Sequence, residues 1–473
     1  MGVALTLLSF DLWQWLALFQ HELLLFAGVF FLIGAADDLA VDLVWIWLKL
    51  TGKADTPVID RARMQREPLH GGAAIFIPAW DEAEVIGDTI RHALSSWPQK
   101  GLRLYIGCYR NDPASITAAM AAAGGDARLR IVIHDCAGPS TKADCLNRLY
   151  EAMCDDERRS GERFTMTVFH DAEDLVDPAG LALLDRAVCA GADFAQLPVE
   201  PLPQARSRWL GSHYCEEFAE AHGKAMVVRN ALGAGLPAAG VGCAVSRGAL
   251  ERLCHQRADH RPFNAESLTE DYELGLAVAQ AGGICQFVRA RDQDGLLVAT
   301  RAYFPSRLEE VIRQKTRWVH GIALQGWDRI GWGGSVIEMW MRGRDRRGPM
   351  TALVLLMGYT LLALTTLGWT AAAMGYGQPV ALSPLLEWLL IANFIAFLWR
   401  AGFRFGFTAR EYGPAEGLRA VLRIPITNIV AIMAGRRATF AYIKTLSGSA
   451  AVWDKTPHRS HPASLANARA GAQ

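Results

Sequence analysis

Four short apolar runs in the middle of the chain each end in acids or amides. AAIFIPAW leads to Asp81 and Glu82, LRLYIGCYR to Asn111 and Asp112, RIVIH to Asp135, and FTMTVFH to Asp171, Glu173 and Asp174. One or two carboxylates plus phosphate oxygens are what a small divalent cation needs, so such a set suits the neutralisation of a diphosphate. A carboxylate at a strand end also caps the next helix, and for Asp81 taken alone that reading stands beside the functional one. Lys142 opens the helical pattern TKADCLN, where a solvated helix-start lysine is the plain reading. Glu270, Asp271 and Glu273 sit at the start of YELGLAVAQAG, where the helix macrodipole favours acids. Gln314, Arg317 and Trp318 fall at i, i+3 and i+4, which puts them on one helix face.

Elements must deliver these side chains to one place. Between Gly71 and Trp340 the four runs alternate with longer amphipathic segments such as EAEVIGDTIRHAL, the pattern of an α/β domain with a buried sheet. Ligands of open α/β sheets sit at the carboxyl ends of the strands, where the acids and amides fall.

The flanks differ in kind. Of the 473 residues, 51% are hydrophobic and 15 are Trp, more than a soluble chain carries. Lys+Arg and Asp+Glu number 48 each, so no basic field points to nucleic acid. The nine Cys lie between Cys108 and Cys285 with no zinc-ligand spacing, as expected of scattered thiols in a reducing cytosol. The stretch from Leu12 to Ala35 is long enough to cross a bilayer. Asp37, Asp38 and Asp42 then lead into VWIWLKL, which reads as a separate interfacial stretch. Basic residues begin at Lys49, Lys53, Arg61, Arg63 and Arg66, which places the N-terminus outside and the middle of the chain in the cytosol. Two further spans are expected around Met350–Met374 and Leu382–Trp399. The run Leu418–Ala434, weakened by Pro425 and Asn428, reads as interfacial or as one more span. The last dozen residues, rich in Ala and Ser, read as disordered.

IPAWDEAEVI, YRNDP, TKADCLN, HDAED, TED and QKTRW, in that order over Gly71 to Gly321, resemble the motifs of the family 2 inverting glycosyltransferases, which include the processive cellulose, hyaluronan and chitin synthases. The resemblance implies a GT-A (Rossmann-like) α/β domain and gives the residues roles. Asp81 and Glu82 would lie near the nucleotide, with Asn111 beside them, and Asp112 against nucleobase and ribose. Lys142 would approach the diphosphate. Asp171 with Glu173 or Asp174 would hold Mg²⁺ or Mn²⁺, the choice staying open because D-A-E-D stands where many members have D-A-D. Asp271, next to Glu270 in the TED motif, would be the general base on an acceptor hydroxyl. Gln314, Arg317 and Trp318 would form the acceptor end, Arg317 facing the departing diphosphate in a planar, bidentate way. By the same resemblance GVGCAVSRGAL would form a loop beside the acceptor, and WDKTPH, with Trp453, Lys455 and His458, a lid over the nucleotide.

The expected architecture is therefore an N-terminal transmembrane and interfacial segment with linker (1–70), a cytosolic GT-A domain (71–340) and C-terminal transmembrane and interfacial helices with a tail (341–473). The expected function is a multi-pass enzyme of a bacterial inner membrane extending a glycan from a UDP-sugar, N-acetylhexosamine first, with an outer-envelope export partner as its expected recipient. Two alternatives stand beside it: a non-processive transferase to a lipid-phosphate acceptor, and a phage-receptor or scaffold component with a relic transferase fold.

Overall fold

The computed structural model describes residues 11–376, 382–448 and 461–463. The WDKTPH segment and residues 464–473 lie outside the described residues.

The apolar runs are strands because both faces of each are covered, which is why they read as continuous hydrophobic stretches rather than alternating ones. The main sheet consists of β1 (Gly72–Pro78), β2 (Leu102–Tyr109), β3 (Leu129–His134), β4 (Phe164–Phe169), β5 (Phe194–Gln196), β6 (Cys243–Ser246) and β7 (Cys285–Phe287). Their spatial order is β3-β2-β1-β4-β6-β5-β7. All neighbours are parallel except that β6 runs antiparallel to both β4 and β5. Alternate residues serve two cores: Ile75, Ile77, Leu104 and Ile106 pack on one face, and Phe76, Tyr105 and Val132 on the other. The order reverses between β1 and β4, so the carboxyl ends of these two strands diverge and open a crevice.

The helices that matter for the site and the flanks are α1 (Leu12–Leu50), α2 (Lys142–Ser160), α3 (His213–Glu220), α4 (Glu270–Gln280), α5 (Leu308–Trp318), α6 (Val336–Arg346), α7 (Gly348–Ala373), α8 (Pro384–Tyr412), α9 (Pro414–Leu422) and α10 (Ile424–Leu446). Among the described residues α1, α7 and α8 are each long and apolar enough to cross a membrane, while α9 and α10 form a pair bent by 52°. Leu385, Trp388, Phe394 and Ile395 of α8 are exposed, an apolar belt suited to lipid.

One expectation needs correcting. The aspartates after Ala35 do not end the first helix, and VWIWLKL is not a separate element: α1 is continuous over 39 residues. At 1.5 Å per residue that is roughly 58 Å, about twice the hydrocarbon thickness, so the helix outruns any bilayer. Its surplus docks through the same aspartates on the sheet domain and on the helices that follow it. Asp37 accepts from Trp340 (2.6 Å) and pairs with Arg347 (2.7 Å) and Arg344. Asp38 pairs with Arg344 (2.9 Å), Arg347 (2.8 Å) and Arg400 (2.9 Å). Asp42, fully buried, pairs with Lys224 and accepts from Trp399 (2.8 Å). Lys224 lies in a π-helical turn, Ala221–Ala225, whose Gly223 carbonyl accepts from Trp45 of α1 (3.0 Å).

Removing one partner of a buried pair leaves an uncompensated charge. Lys224→Met, which takes the one ion-pair partner of buried Asp42 among the described residues, is expected to cost about 3–5 kcal/mol. Thermal unfolding of detergent-purified protein should show a clear drop in midpoint, whereas the exposed pair Arg158–Asp155 should be removable with a change within about 1 kcal/mol.

Candidate functional site

β1 and β4 end side by side, and the turn after β4 aims the acids. The His170 N–H donates to the Phe76 carbonyl (3.1 Å), carrying the β1–β4 pairing one residue further. Asp174 is 1% exposed and spends its carboxylate inside the turn, accepting from the Asp171 N–H (3.0 Å) with His170 Nδ1 2.9 Å away. Burial pushes its carboxyl above the usual range, against the hydrogen bond from His170. His461 abuts the turn from outside, its Nε2 3.1 Å from the Asp174 carbonyl. Asp171 and Glu173 face the cleft; Asp174 holds the loop that presents them.

Lys142 enters from α2. Thr141 caps that helix by accepting from the Asp144 N–H (3.2 Å) and donates its own hydroxyl to the Ala265 carbonyl (2.6 Å), which ties the start of α2 to the segment leading into α4. The Lys142 ammonium reaches Asp171 Oδ1 at 2.5 Å and Glu270 Oε1 at 3.8 Å. Burial alone would lower its pKa, but the charges of Asp171, Glu270 and Asp271 together raise it above the ordinary lysine value. Glu270, 7% exposed, is pushed up to about 7, first by burial and then by Asp271, with Lys142 pulling the other way. Asp271 is likewise raised by burial and held down by Lys142 and Arg317. It accepts from the Tyr272 N–H (2.7 Å). Glu273, grouped with these acids in sequence, faces elsewhere: it accepts from Ser267 (2.6 Å) and pairs with Arg329 (3.0 Å).

A glycine fixes Asp271 from the opposite side. Gly240, in the GVG segment before β6, has φ +81° and lies so close that a Cβ there would be 2.5 Å from Asp271 Oδ2. Both the conformation and the contact exclude other residues.

The third wall comes from α5. Gln314 accepts from the Tyr214 hydroxyl (2.6 Å). Trp318 stands edge-on to Tyr214 (6.0 Å) and Phe218 (6.3 Å), with the Lys315 ammonium 4.9 Å from its ring. Directly after Trp318 the helix widens into a π-helical stretch, Val319–Gln325. Such widened turns recur at functional sites. Here it seats Gly321 against Thr269 of the TED segment, where a Cβ would come within 2.5 Å of the threonine side chain.

The cleft thus brings together Glu82, Lys142, Asp171, Glu173, Glu270, Asp271, Gln314, Arg317 and Trp318. Asp81, Asn111 and Asp112 are placed otherwise. Asp112 caps the helix Pro113–Ala123, accepting from the Ser115 N–H (3.2 Å), and its second oxygen accepts from the Asp81 N–H (2.6 Å). Asp81 is exposed with φ +54°. Asn111 pairs both its amide atoms with the Gly138 backbone (2.7 and 2.8 Å). These three build the rim. Two aromatic residues that sequence reasoning passed over line the cleft instead, Trp80 and Tyr109. They pack edge to face (5.2 Å), and Tyr109 stacks on His134 (5.2 Å, 4° between planes), whose Nε2 is 3.0 Å from Asp144. Their signal was present: each stands within two residues of a strand's carboxyl end and of the flagged acids and amides.

The sheet order, with its antiparallel β6 and a carboxylate cleft at the β1/β4 switch point, is the GT-A class of architecture. Residues 70–321 match the model of the glycosyltransferase like family 2, and the chain belongs to that family. It is 31% identical over 456 residues to the bacteriophage adsorption protein B of Escherichia coli K12, a match covering 91% of this chain and 61% of that one. The bacteriophage N4 adsorption protein B of Escherichia coli O157:H7 matches to the same extent. The chain therefore spans less than two thirds of these relatives. Among solved structures, a mannosyltransferase of Pyrobaculum calidifontis in complex with GDP-Man and Mn²⁺ superposes with TM-score 0.48 at 15% identity, covering 85% of this chain and 99% of that one. A glucosyl-3-phosphoglycerate synthase of Mycobacterium tuberculosis gives 0.36 at 17% identity, covering 59% and 86%.

Gly240→Ala should displace Asp271 while leaving both cores untouched. A misplacement on the order of 1 Å costs about 10²-fold in rate, so transferase turnover should fall by about that factor. The family's diphosphate-release assay, run beside an unfolding curve, separates this from loss of fold.

Proposed function

We propose that the chain is a metal-dependent membrane transferase that moves a sugar, N-acetylhexosamine in the first instance, from a UDP-sugar to a growing glycan with inversion. The observation that carries this reading is the meeting of Lys142, Asp171, Glu270, Asp271 and Arg317 around one cleft beside the Trp318 ring. The donor class follows the sequence resemblance.

The donor's base would lie against Trp80, which is half-buried at the cleft and is backed by the buried Tyr109 ring. Asp171 and Glu173 present hard oxygen donors of the kind Mg²⁺ or Mn²⁺ takes, with room for phosphate oxygens to complete the shell. A divalent cation held there would neutralise the departing diphosphate. Lys142 and Arg317 add positive charge on either side of it. Asp271 takes the proton of the acceptor hydroxyl as that oxygen attacks the anomeric carbon from the face opposite the diphosphate, so one displacement inverts the centre. Trp318, clamped by Tyr214, Phe218 and Lys315, offers a flat surface to the acceptor ring.

Basic residues from Lys49 onward and nine free thiols support a cytosolic catalytic domain at a bacterial inner membrane, with α1, α7 and α8 as spans. An export partner in the outer envelope would then receive the product. Transfer of a single sugar to a lipid-phosphate acceptor is the rival reading, separated by product length.

The test is nucleoside diphosphate release from a panel of UDP- and GDP-sugars by protein in nanodiscs. One donor should turn over, chelator should abolish it, and Asp271→Asn should slow it by about 10²–10⁴-fold. Folded protein that turns over no donor, or an Asp271→Asn variant as active as the parent, would leave the relic-scaffold reading in its place.

A further inference from the structure

The Lys142 ammonium pairs with Asp171, one of the two proposed metal ligands, and with Glu270 beside it. Its 2.5 Å contact is with Asp171 Oδ1, its 3.8 Å contact with Glu270, and its side chain is 18% exposed. Among the described residues the ion pairs of Asp171 and Glu270 are both with Lys142. A divalent cation bound by Asp171 would sit about 2.0–2.2 Å from an Asp171 oxygen. An ammonium 2.5 Å from that carboxylate would then face a doubly charged ion within a few ångströms, in a half-buried cleft where charges are poorly screened. The two cations compete for one carboxylate.

Lys142 is built to yield. Its backbone is fixed by the Thr141 cap, the Thr141–Ala265 bond and buried Ala143 and Cys145, but its charge rides on a four-carbon stem with free rotations. What would draw it off Asp171 is a second anion in the same cleft, and a diphosphate is one. The start of α2 adds its own positive end to that side.

Resting on the metal-dependent reading above, we propose that Lys142 is a placeholder cation that competes with metal for Asp171 and surrenders it only when a nucleoside diphosphate group arrives, so that metal and donor load together. Until then the carboxylates stay compensated by Lys142, and free divalent cation alone does not displace it. Because coupling between two ligands is reciprocal, metal must tighten nucleotide binding by the same factor that nucleotide tightens metal binding.

The experiment is equilibrium dialysis of Mn²⁺ against the full chain in nanodiscs, without nucleotide, with UDP and with GDP, for the parent, Lys142→Met and Lys142→Arg. The parent should bind Mn²⁺ at least about tenfold more tightly with one of the two nucleotides than without, within the usual span of coupling. Lys142→Met should bind Mn²⁺ alone at least about tenfold more tightly than the parent and lose most of the nucleotide enhancement. Lys142→Arg keeps a cation on the helix and should remain as weak as the parent without nucleotide. A folded Lys142→Met with unchanged or weaker Mn²⁺ affinity overturns the placeholder role, as does a Lys142→Arg that gains affinity. Parent protein that binds no Mn²⁺ under any of the three conditions overturns the metal-dependent reading itself, and this inference with it.

Discussion

Three carboxylates cannot be gathered in a half-buried cleft without a cation among them, and Lys142 is that cation. Asp171 arrives from the end of β4, Glu270 and Asp271 from the first turn of α4, more than 90 residues apart in sequence. Each alone could be explained as a loop acid or a helix-start acid. Together they repel one another, and burial raises Glu270 and Asp271 further. The Thr141 hydroxyl bonded to Ala265 matters for this reason: it fastens the helix that carries the positive charge to the segment that carries two of the negative ones. The rest of the cleft is arranged around that cluster, with Gly240 pressed against Asp271 and Gly321 against Thr269.

The same physics recurs at the membrane end with the opposite purpose. Asp37, Asp38 and Asp42 are costly residues to carry on an apolar helix. Their compensation comes from Arg344 and Arg347 beside the start of α7, Arg400 on α8 and Lys224 in the sheet domain. These pairs are weak evidence for stability, since burying charge is expensive in itself. They are good evidence for placement: they can be satisfied in only one docking of α1 on the domain. The cleft is thereby set at a fixed position relative to α1, α7 and α8. Behind it, fully buried Arg423, at the junction of α9 and α10, pairs with Glu216 of α3 (3.0 Å) and with Glu416 (2.6 Å).

In both places π-helical turns do the fitting. One carries Lys224 to Asp42 and the other carries Gly321 to Thr269. A π turn inserts a residue without ending the helix, so the faces before and after it point differently. Neither turn has a marker in the residue pattern. The helix α5 reads as ordinary 3.6-residue periodicity through Trp318, and the widening follows from what it must meet.

What the sequence determined by itself is whatever local chemistry enforces. The buried strands are legible because parallel strands covered on both faces must be apolar throughout, and the GT-A domain follows from their alternation with helices and from motifs in a fixed order. The apolar helices are legible because a bilayer demands length and composition. The charged residues of the cleft were legible because carboxylates recur at successive strand ends and a Gln, Arg and Trp share one helix face. Tertiary structure alone decided which acids face the cleft: Asp171 and Glu173 are separated from Asp174 by a turn that Asp174 itself fixes through the Asp171 N–H and His170. It turned Asp112 and Asn111 into supports of the rim and brought Trp80 and Tyr109 into the cleft, because a side chain's direction at a strand end depends on the loop that follows. It also made α1 one helix rather than two, since three aspartates end an apolar span only when no arginines wait to meet them, and those arginines lie some 300 residues away.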